Sequence, residues 1–451
     1  MKTNTITKLS LALITTMSLV STANANESSE IDALKQEIKE LREMMQAFKA
    51  NKTESAAYTE LKQSIKQDKE EIAELKETTQ ALIDETSDLK SGFNYTTVDT
   101  DESYAGMGAA ASKVYYSKSP LSIGGYAKMD YYHTSNEGSD NGSNIDVYRF
   151  IPYFGYKFSD NIIMNTEIEF EHGGIKDGAA GDGYVIIEFL YLDFLLDKKF
   201  NLRVGNQLMP MGLINERHEP TLFTTSQRPN TSKKLIPSTW HENGLMAYGQ
   251  LSDTLSYKVG AFSALQLQRG AGEGNDWLRD SRLGSFRADN NAGEDIGLAG
   301  VARVDYTGNN LFIGASTYID SSLTMADIHF DYKQDAFRTY GVYTQTNRSE
   351  TVIGEPEKAK GGFINLGYDV LSLTNSKNKM PVFVQYESIS AQDAVTGGTS
   401  VDSTDTVTVG LNYFPHEQVV LKADYAMSKD NSKASNVDET DTFSLSMGFI
   451  F

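Results

Sequence analysis

The chain lacks cysteine and has few prolines and few basic residues. Only nine prolines occur among its 451 residues, and 41 lysines and arginines face 61 acidic residues. Without cysteine, disulfide frameworks and thiolate metal sites are excluded, so stability must come from packing and backbone pairing. The net charge of −20 argues against nucleic acid as a partner, because nucleic-acid recognition needs a basic surface.

Long apolar runs are also missing, apart from a short one near the N-terminus. Lys2 and Lys8 precede the apolar run 9–20, and an A-x-A pattern at 23–25 follows it. This arrangement predicts a secretory signal peptide over residues 1–25, and its removal takes the net charge from −20 to −22 because two lysines are lost. No later stretch reaches the roughly 18 apolar residues of a transmembrane helix, so none is predicted in the exported chain.

Residues 26–92 are predicted to form a periplasmic coiled coil. Their apolar residues recur at alternating spacings of three and four: Ile31, Leu34, Ile38, Leu41, Met45, Phe48, Leu61, Ile65, Ile72, Leu75, Leu82 and Leu89. Such a narrow seam needs a partner helix to be buried, although a single amphipathic helix on another surface is an alternative. Asp68, Thr79 and Thr86 interrupt the seam and leave the number of helices open. A periplasmic position suggests peptidoglycan as a contact of this stalk.

Beyond a linker predicted at 93–120, the sequence changes to short segments of period two. Val407, Val409 and Leu411, for example, alternate with polar or small residues. About sixteen such strands are predicted within 121–451, with connections that are mostly long after odd strands and mostly tight after even ones. A soluble β-sandwich would have no reason to alternate long and short connections in this way. The pattern therefore predicts an all-β fold, a 16-stranded antiparallel transmembrane β-barrel, with an N-terminal α-helical coiled-coil segment.

The last strand carries a further signal for the outer membrane. Apolar side chains alternate to the final residue: Phe443, Leu445, Met447, Phe449 and Phe451. This ending resembles the C-terminal signal by which barrel proteins are delivered for insertion, so Phe451 is the predicted insertion signal. The expected partners are the barrel-assembly machinery and outer-membrane lipid, since an open strand with one apolar face is a hazard in water.

The longest connection, 210–241, is predicted to fold inward and narrow a water-filled lumen. Its cations outnumber Glu216 and Glu219, and they are the candidate constriction residues Arg217, Arg228, Lys233 and Lys234. Arg149 and Arg203 lie on polar faces of predicted strands and are the candidates on the wall. A guanidinium offers a fork to an oxyanion. The alternatives are charges that solvate an external loop and arginines that pair with Glu167 or Glu169.

The same region carries a family resemblance. The segments concerned are Leu202–Gln207, Met209–Leu213, His218-Glu219-Pro220, Arg228-Pro229 and Ile236–Gly244. They resemble the phosphate-selective porin O and P family, and a barrel preceded by a coiled coil is also similar to the dicarboxylate-channel porins. The resemblance implies a homotrimeric 16-strand porin whose third loop lines a pore for small anionic solutes such as phosphate or dicarboxylates. Phosphate specificity in that family implies a dense ladder of arginines and lysines, whereas the inward faces predicted here mix basic residues with many carboxylates.

Two other functions remain open from the sequence. A structural or adhesive outer-membrane protein can also combine a coiled-coil stalk with a barrel, but its barrel segment is usually short. A barrel enzyme would need a histidine with Ser or Asp near the rim, and His172 and His218 are the nearest candidates. No H-E-x-x-H or G-x-S-x-G pattern occurs, so neither catalysis, nor a metal, nor a cofactor is predicted.

Overall fold

The computed structural model describes residues 35–43, 46, 56–93, 98–100, 102–136, 141–174, 183–284, 296–398, 403–431 and 439–451. The predicted signal peptide at 1–25 lies outside the described residues. Two compact units are present, one ending at Thr86 and one spanning Ser87–Phe451.

The first unit is helical where it is described. Residues 35–43 are helical, and a 38-residue helix, α1, runs over Ala56–Phe93. On α1 the seam residues Leu75 and Leu82 are 53% and 57% exposed, so this single chain leaves the seam uncovered. Among the described helices, none has the length and apolarity that a membrane span requires. Pairing of α1 with another helix stays a prediction.

The second unit is built on sixteen antiparallel strands, and the last pairs with the first to close a barrel. The strands are β1 Leu121–Asn136, β2 Gly142–Ser159, β3 Ile162–Glu171, β4 Val185–Asp197, β5 Phe200–Leu208, β6 His241–Gln250, β7 Leu255–Ser263, β8 Leu298–Gly308, β9 Leu311–Ile319, β10 Leu323–Gln334, β11 Phe337–Arg348, β12 Pro356–Asp369, β13 Pro381–Val395, β14 Thr404–His416, β15 Val419–Asp430 and β16 Glu439–Ile450. Every predicted strand corresponds to one of these, which confirms the predicted fold class.

Period-two alternation decides which side chains face outward. On β16, Phe443 and Leu445 are 40% and 44% exposed, whereas Ser444 and Ser446 are 2% and 6% exposed. The apolar side chains therefore coat the outside, and the polar side chains point inward. This arrangement is the reverse of that in a water-soluble protein, and a barrel surrounded by lipid requires it.

The C-terminal residue takes part in closing the barrel. The Phe451 amide donates to the Gly125 carbonyl at 2.9 Å, and the Gly125 amide donates to the Phe451 carbonyl at 2.8 Å. A Cβ at Gly125 would lie 2.2 Å from the Ile151 carbonyl oxygen, so only glycine permits this close approach. The aromatic ring of Phe451 lies 6.3 Å from that of Phe150, on the outer surface.

Connections sort by length between the two ends of the barrel. The β8–β9 connection is a tight turn in which Asn309 and Asn310 adopt φ values of 48° and 66°. Two connections depart from this sorting: β9 and β10 are joined by only 320–322, and β12 and β13 by a longer segment that contains a 3-10 turn, Val370–Leu373.

The segment predicted as a linker at 93–120 contains a buried helix, which the sequence analysis did not predict. Helix α2, Ala109–Tyr116, packs inside the barrel against β1, β2 and β3. Its alanines are buried, and the close fit is seen at Gly155 on β2, where an added Cβ would lie 2.3 Å from Val114. The small residues of this segment resemble a linker in composition, but in the structure they allow the helix to lie close to the barrel wall.

Candidate functional site

Loop 3, defined here as residues 209–240 between β5 and β6, lies inside the barrel. Wall side chains hold its backbone at many points. The Gly212 amide donates to Asp327 at 2.9 Å, the Thr231 amide donates to Glu387 at 2.6 Å, and Lys422 donates to the Phe223 carbonyl at 2.7 Å. These anchors come from β10, β13 and β15, so the loop crosses the lumen.

A single asparagine holds the two ends of loop 3 together. The Asn215 amide group donates to the carbonyls of Met209 and Trp240, both at 2.8 Å, and its oxygen accepts from the Trp240 amide at 2.7 Å. Trp240 is fully buried in the apolar cluster formed by this loop and the wall. The base of the loop is therefore fixed by both hydrogen bonds and packing.

Loop 4, residues 264–297 between β7 and β8 and described over 264–284 and 296–297, also folds inward. It carries a short helix, α3, Trp277–Asp280, which contacts the π-helical turn Thr231–Leu235 of loop 3. Trp277 is buried and donates through its indole nitrogen to the Ala391 carbonyl at 2.7 Å. Loop 4 thus supports loop 3 from within the barrel.

A cationic cavity lies between loop 3 and the wall formed by β1 and β2. Four cations line it, two from the wall and two from loop 3: Lys128, Arg149, Arg228 and Lys233. The remaining lining residues are Tyr126, Tyr148, His218, Pro220, Phe223 and Gln227. No carboxylate belongs to this lining set of described residues.

The wall cations of the cationic cavity are neutralised by carboxylates behind them. Lys128 lies 2.6 Å from Asp130, and Arg149 lies 2.9 Å from Glu169 and 2.8 Å from Glu171. Arg149 also donates to the Thr239 hydroxyl of loop 3 at 3.3 Å. This agrees with the alternative from the sequence in which Arg149 pairs across strands, while its side chain still lines the cavity.

The loop cations of the cationic cavity lack such partners. Arg228 donates only to the hydroxyls of Ser238 and Thr239, at 3.0 and 2.7 Å, and no described carboxylate lies within ion-pair distance. The Lys233 ammonium has neither a hydrogen bond nor an ion pair among the described residues. Burial, with the neighbouring cations, lowers the pKa of Lys233 to about 8 against an opposing effect of Glu387.

The other three predicted candidates lie outside the cationic cavity. Arg203 is buried, forms a two-point ion pair with Asp193 at 2.9 and 2.8 Å, and lies 4.0 Å from the Tyr191 ring centre. Arg217 lies over the Phe312 ring at 4.1 Å and 3.9 Å from Asp331. Lys234 points toward loop 4 and lies 3.9 Å from Asp276. Each of them faces a carboxylate, and their surroundings favour structural roles.

Comparison with known families identifies the kind of protein that carries this cavity. Residues 122–451 match the family described as phosphate-selective porin O and P. The chain belongs to this family. A relative from Aquifex aeolicus (strain VF5), described as an uncharacterized protein, is 33% identical over 365 residues, which cover 74% of this chain and 81% of the relative.

Solved structures similar to this porin are outer-membrane proteins. The outer membrane channel DcaP of Acinetobacter baumannii is 10% identical with a TM-score of 0.48, and the match covers 73% of this chain and 97% of that one. OmpT of Vibrio cholerae, expressed in the outer membrane, is 11% identical with a TM-score of 0.46, and the match covers 74% of this chain and 99% of that one.

Membership of the porin family locates the barrel in the outer membrane, with its apolar exterior toward lipid. One cavity residue could not be assigned from the sequence of this porin. Tyr148 has the period-two spacing of the outward-facing Phe150 on β2, yet it lines the cavity, because the β1–β2 register shifts between Lys128 and Asp130. An extra residue on β2 forms a β-bulge, which turns both Tyr148 and Arg149 inward.

Proposed function

We propose that this porin conducts small hydrophilic anions by passive diffusion, with loop 3 as the constriction and the cationic cavity as the charge filter. The observation that carries the proposal is the lining of the cavity, in which four cations meet without a carboxylate. Arg228 and Lys233 supply the uncompensated charge. Attraction between charges strengthens where protein replaces water, so two unpaired cations can dominate locally in an acidic chain.

The guanidinium of Arg228 suits oxyanions in particular. Ser238 and Thr239 hold one of its terminal nitrogens, whereas Nε and the other terminal nitrogen make no hydrogen bond within the described residues. That free edge presents two parallel N–H groups, the arrangement that binds carboxylate or phosphate at two points. The buried Tyr126 hydroxyl, which lacks a described partner, adds a further donor at the cavity.

Phosphate and short dicarboxylates are the solutes that we include in the proposal. Phosphate enters through the family description, and dicarboxylates enter because Arg228 and Lys233, the two cations of the cavity without a carboxylate partner, can each attract one carboxylate. The other candidate cations, Arg203, Arg217 and Lys234, each face a carboxylate, and Lys422 is held by the carbonyls of Phe223 and Thr225. This limits the proposed filter to a single layer and favours weak binding, which is what rapid passage through a pore requires.

The proposal also includes an assembly of several chains. We expect a homotrimer whose α1 helices associate in the periplasm through the exposed seam, where peptidoglycan is the nearest large partner. Phe451 is the expected insertion signal read by the barrel-assembly machinery. Neither enzyme activity nor a cofactor forms part of this proposed function.

The test is single-channel recording of the purified full-length porin in planar bilayers. In potassium chloride we expect stepwise conductance, and added phosphate or succinate should reduce the chloride current by binding to Arg228 and Lys233. A matched addition of a monovalent organic cation should leave the current unchanged. Absence of steps would contradict the pore, and block by the organic cation instead of the anions would contradict the anion filter.

A further inference from the structure

A buried histidine of loop 3 faces two carboxylates of the barrel wall. His218 is 3% exposed, Glu167 of β3 is 0% exposed and Glu188 of β4 is 1% exposed. One donor atom from each lies within 4.8 Å of the other two. No metal site is predicted from the sequence, in which these three residues are far apart and match no known ligand spacing.

The hydrogen bonds of His218 fix which ring nitrogen faces the carboxylates. Nδ1 lies 2.8 Å from the Asn215 carbonyl oxygen, which can only accept, so Nδ1 carries a proton. Nε2 lies 3.2 Å from a carboxylate oxygen of Glu167. In the neutral ring and the ionised carboxylate both of these atoms present lone pairs, and two lone pairs at this distance need a proton or a metal ion between them. A carbonyl that orients a ring in this way is typical of metal-binding histidines.

The carboxylates themselves are short of partners. Glu167 Oε2 and Glu188 Oε2 are buried, and neither has a hydrogen-bond partner among the described residues. Arg149, a cation on the neighbouring strand, is already engaged by Glu169 and Glu171. An unpaired buried carboxylate is costly, so this cluster must take up protons or a metal ion.

We infer that Glu167, Glu188 and His218 form a binding site for a divalent metal ion of the zinc type. One imidazole nitrogen and two carboxylate oxygens suit zinc, whereas calcium and magnesium favour oxygen ligands alone. Three protein ligands leave a fourth position for water. A tetrahedral ion about 2.0–2.2 Å from each ligand sets the ligands roughly 3.4 Å apart, and the separation of 3.2 Å between His218 and Glu167 is already close to this value.

Such an ion would attach loop 3 to the wall. His218 belongs to the loop, while the two carboxylates belong to adjacent strands, so one ion would join three segments. His218 also lines the cationic cavity. A bound divalent cation would therefore add positive charge beside the proposed anion path and would hold the loop in its inward position.

The test is zinc titration of the full-length porin in detergent, after treatment with a chelator, by calorimetry. We expect about one tight zinc ion per chain, and weaker binding of calcium and magnesium. Glu188→Gln and His218→Ala should each weaken zinc binding by about ten-fold or more, since each removes a ligand. Zinc should also raise the temperature at which the folded barrel converts to its slow-migrating form on gels.

Two control variants distinguish zinc binding at this site from zinc binding at other carboxylates or histidines. Glu387→Gln removes a buried carboxylate that binds loop 3 at Asn230 and Thr231, and it should leave zinc binding unchanged. His172→Ala removes the exposed pair with Asp146, which could bind zinc on the surface. The inference is overturned if tight binding is absent, or if it survives Glu188→Gln and His218→Ala and disappears in His172→Ala.

A crystal of the wild-type porin soaked in zinc decides the question even if a variant fails to fold. An anomalous peak between His218, Glu167 and Glu188 supports the site, whereas its absence at full zinc occupancy elsewhere overturns it. Because zinc binding is measured without current, its failure leaves the proposed anion pore standing, and loss of the pore leaves the metal site standing.

Discussion

The Glu219 carboxylate of loop 3 accepts a hydrogen bond from the Ala111 amide in the first turn of helix α2, at 3.0 Å. A carboxylate at a helix N-terminus satisfies otherwise unpaired amides and complements the helix dipole. Gly108 makes the contact possible, because a Cβ there would lie 2.3 Å from Glu219 Oε1. The constriction loop and the inward helix, 108 residues apart along the chain, thus hold each other in place.

This contact predicts a specific pH dependence of stability. Burial, opposed by hydrogen bonds from the helix amides, raises the pKa of Glu219 from 4.5 to about 7. A raised pKa means that stability is fully present below about pH 4.5 and is lost as the pH rises toward 7, by on the order of 3 kcal/mol. Glu219→Gln stays neutral, so it should gain stability relative to the wild type over this range.

The measurement is the temperature of the heat-induced gel shift at pH 4.5 and pH 7.5, roughly the two ends of the window. Glu102→Gln, which changes an exposed carboxylate just before helix α2, serves as the control. Its gel-shift temperature should differ from that of the wild type by the same amount at both pH values. An equal difference between Glu219→Gln and the wild type at both pH values would contradict the role given to Glu219.

The two tryptophans of the chain report the position of the inward loops. Trp240 of loop 3 and Trp277 of loop 4 are both buried, so iodide should quench the fluorescence of the folded porin poorly. Asn215→Ala removes three hydrogen bonds at the base of loop 3 and should increase quenching. Asn161→Ala, in a tight turn far from both indoles, is the matched control. Equal quenching of the two variants would show that Asn215 does not hold the loop.

The exposed seam of α1 predicts association between chains. Leu75→Asp combined with Leu82→Asp places charge in the seam and should abolish chemical crosslinking through α1 in the full-length porin. Lys76→Asp introduces the same side chain beside the seam and should leave crosslinking intact. Since the barrel is a separate compact unit, its heat-modifiable mobility should persist in every variant. Crosslinking of the seam variant at the wild-type level would refute the coiled coil.

The barrel could be predicted from the sequence because its signals are local. Alternation is read within one strand, and loop lengths are read directly along the chain. Helix α2 was not predicted because eight residues, of which the first four are small, are too few to show a helical period. Their packing against the wall stabilises them as a helix.

The candidate site could be predicted only in part. Its candidate cations are of the same residue types, and they differ in the neighbours that the fold brings to them. Lys233 and Lys234 are adjacent, yet one lines the cationic cavity and the other faces Asp276. Arg217 and Arg228 share one loop, but only Arg217 lies beside a wall carboxylate. Cross-strand partners such as Glu171 for Arg149 depend on register, and the β-bulge beside Tyr148 changes that register.

The charge of the cationic cavity is the central claim, and reversal potentials in asymmetric potassium chloride test it most directly. The wild-type porin should prefer chloride, and Arg228→Gln combined with Lys233→Gln should lower the chloride-to-potassium permeability ratio several-fold. Lys234→Gln, which removes one charge from the same loop outside the cavity, should change the ratio little. A cation-selective wild type, or a double variant with unchanged selectivity, would contradict the account.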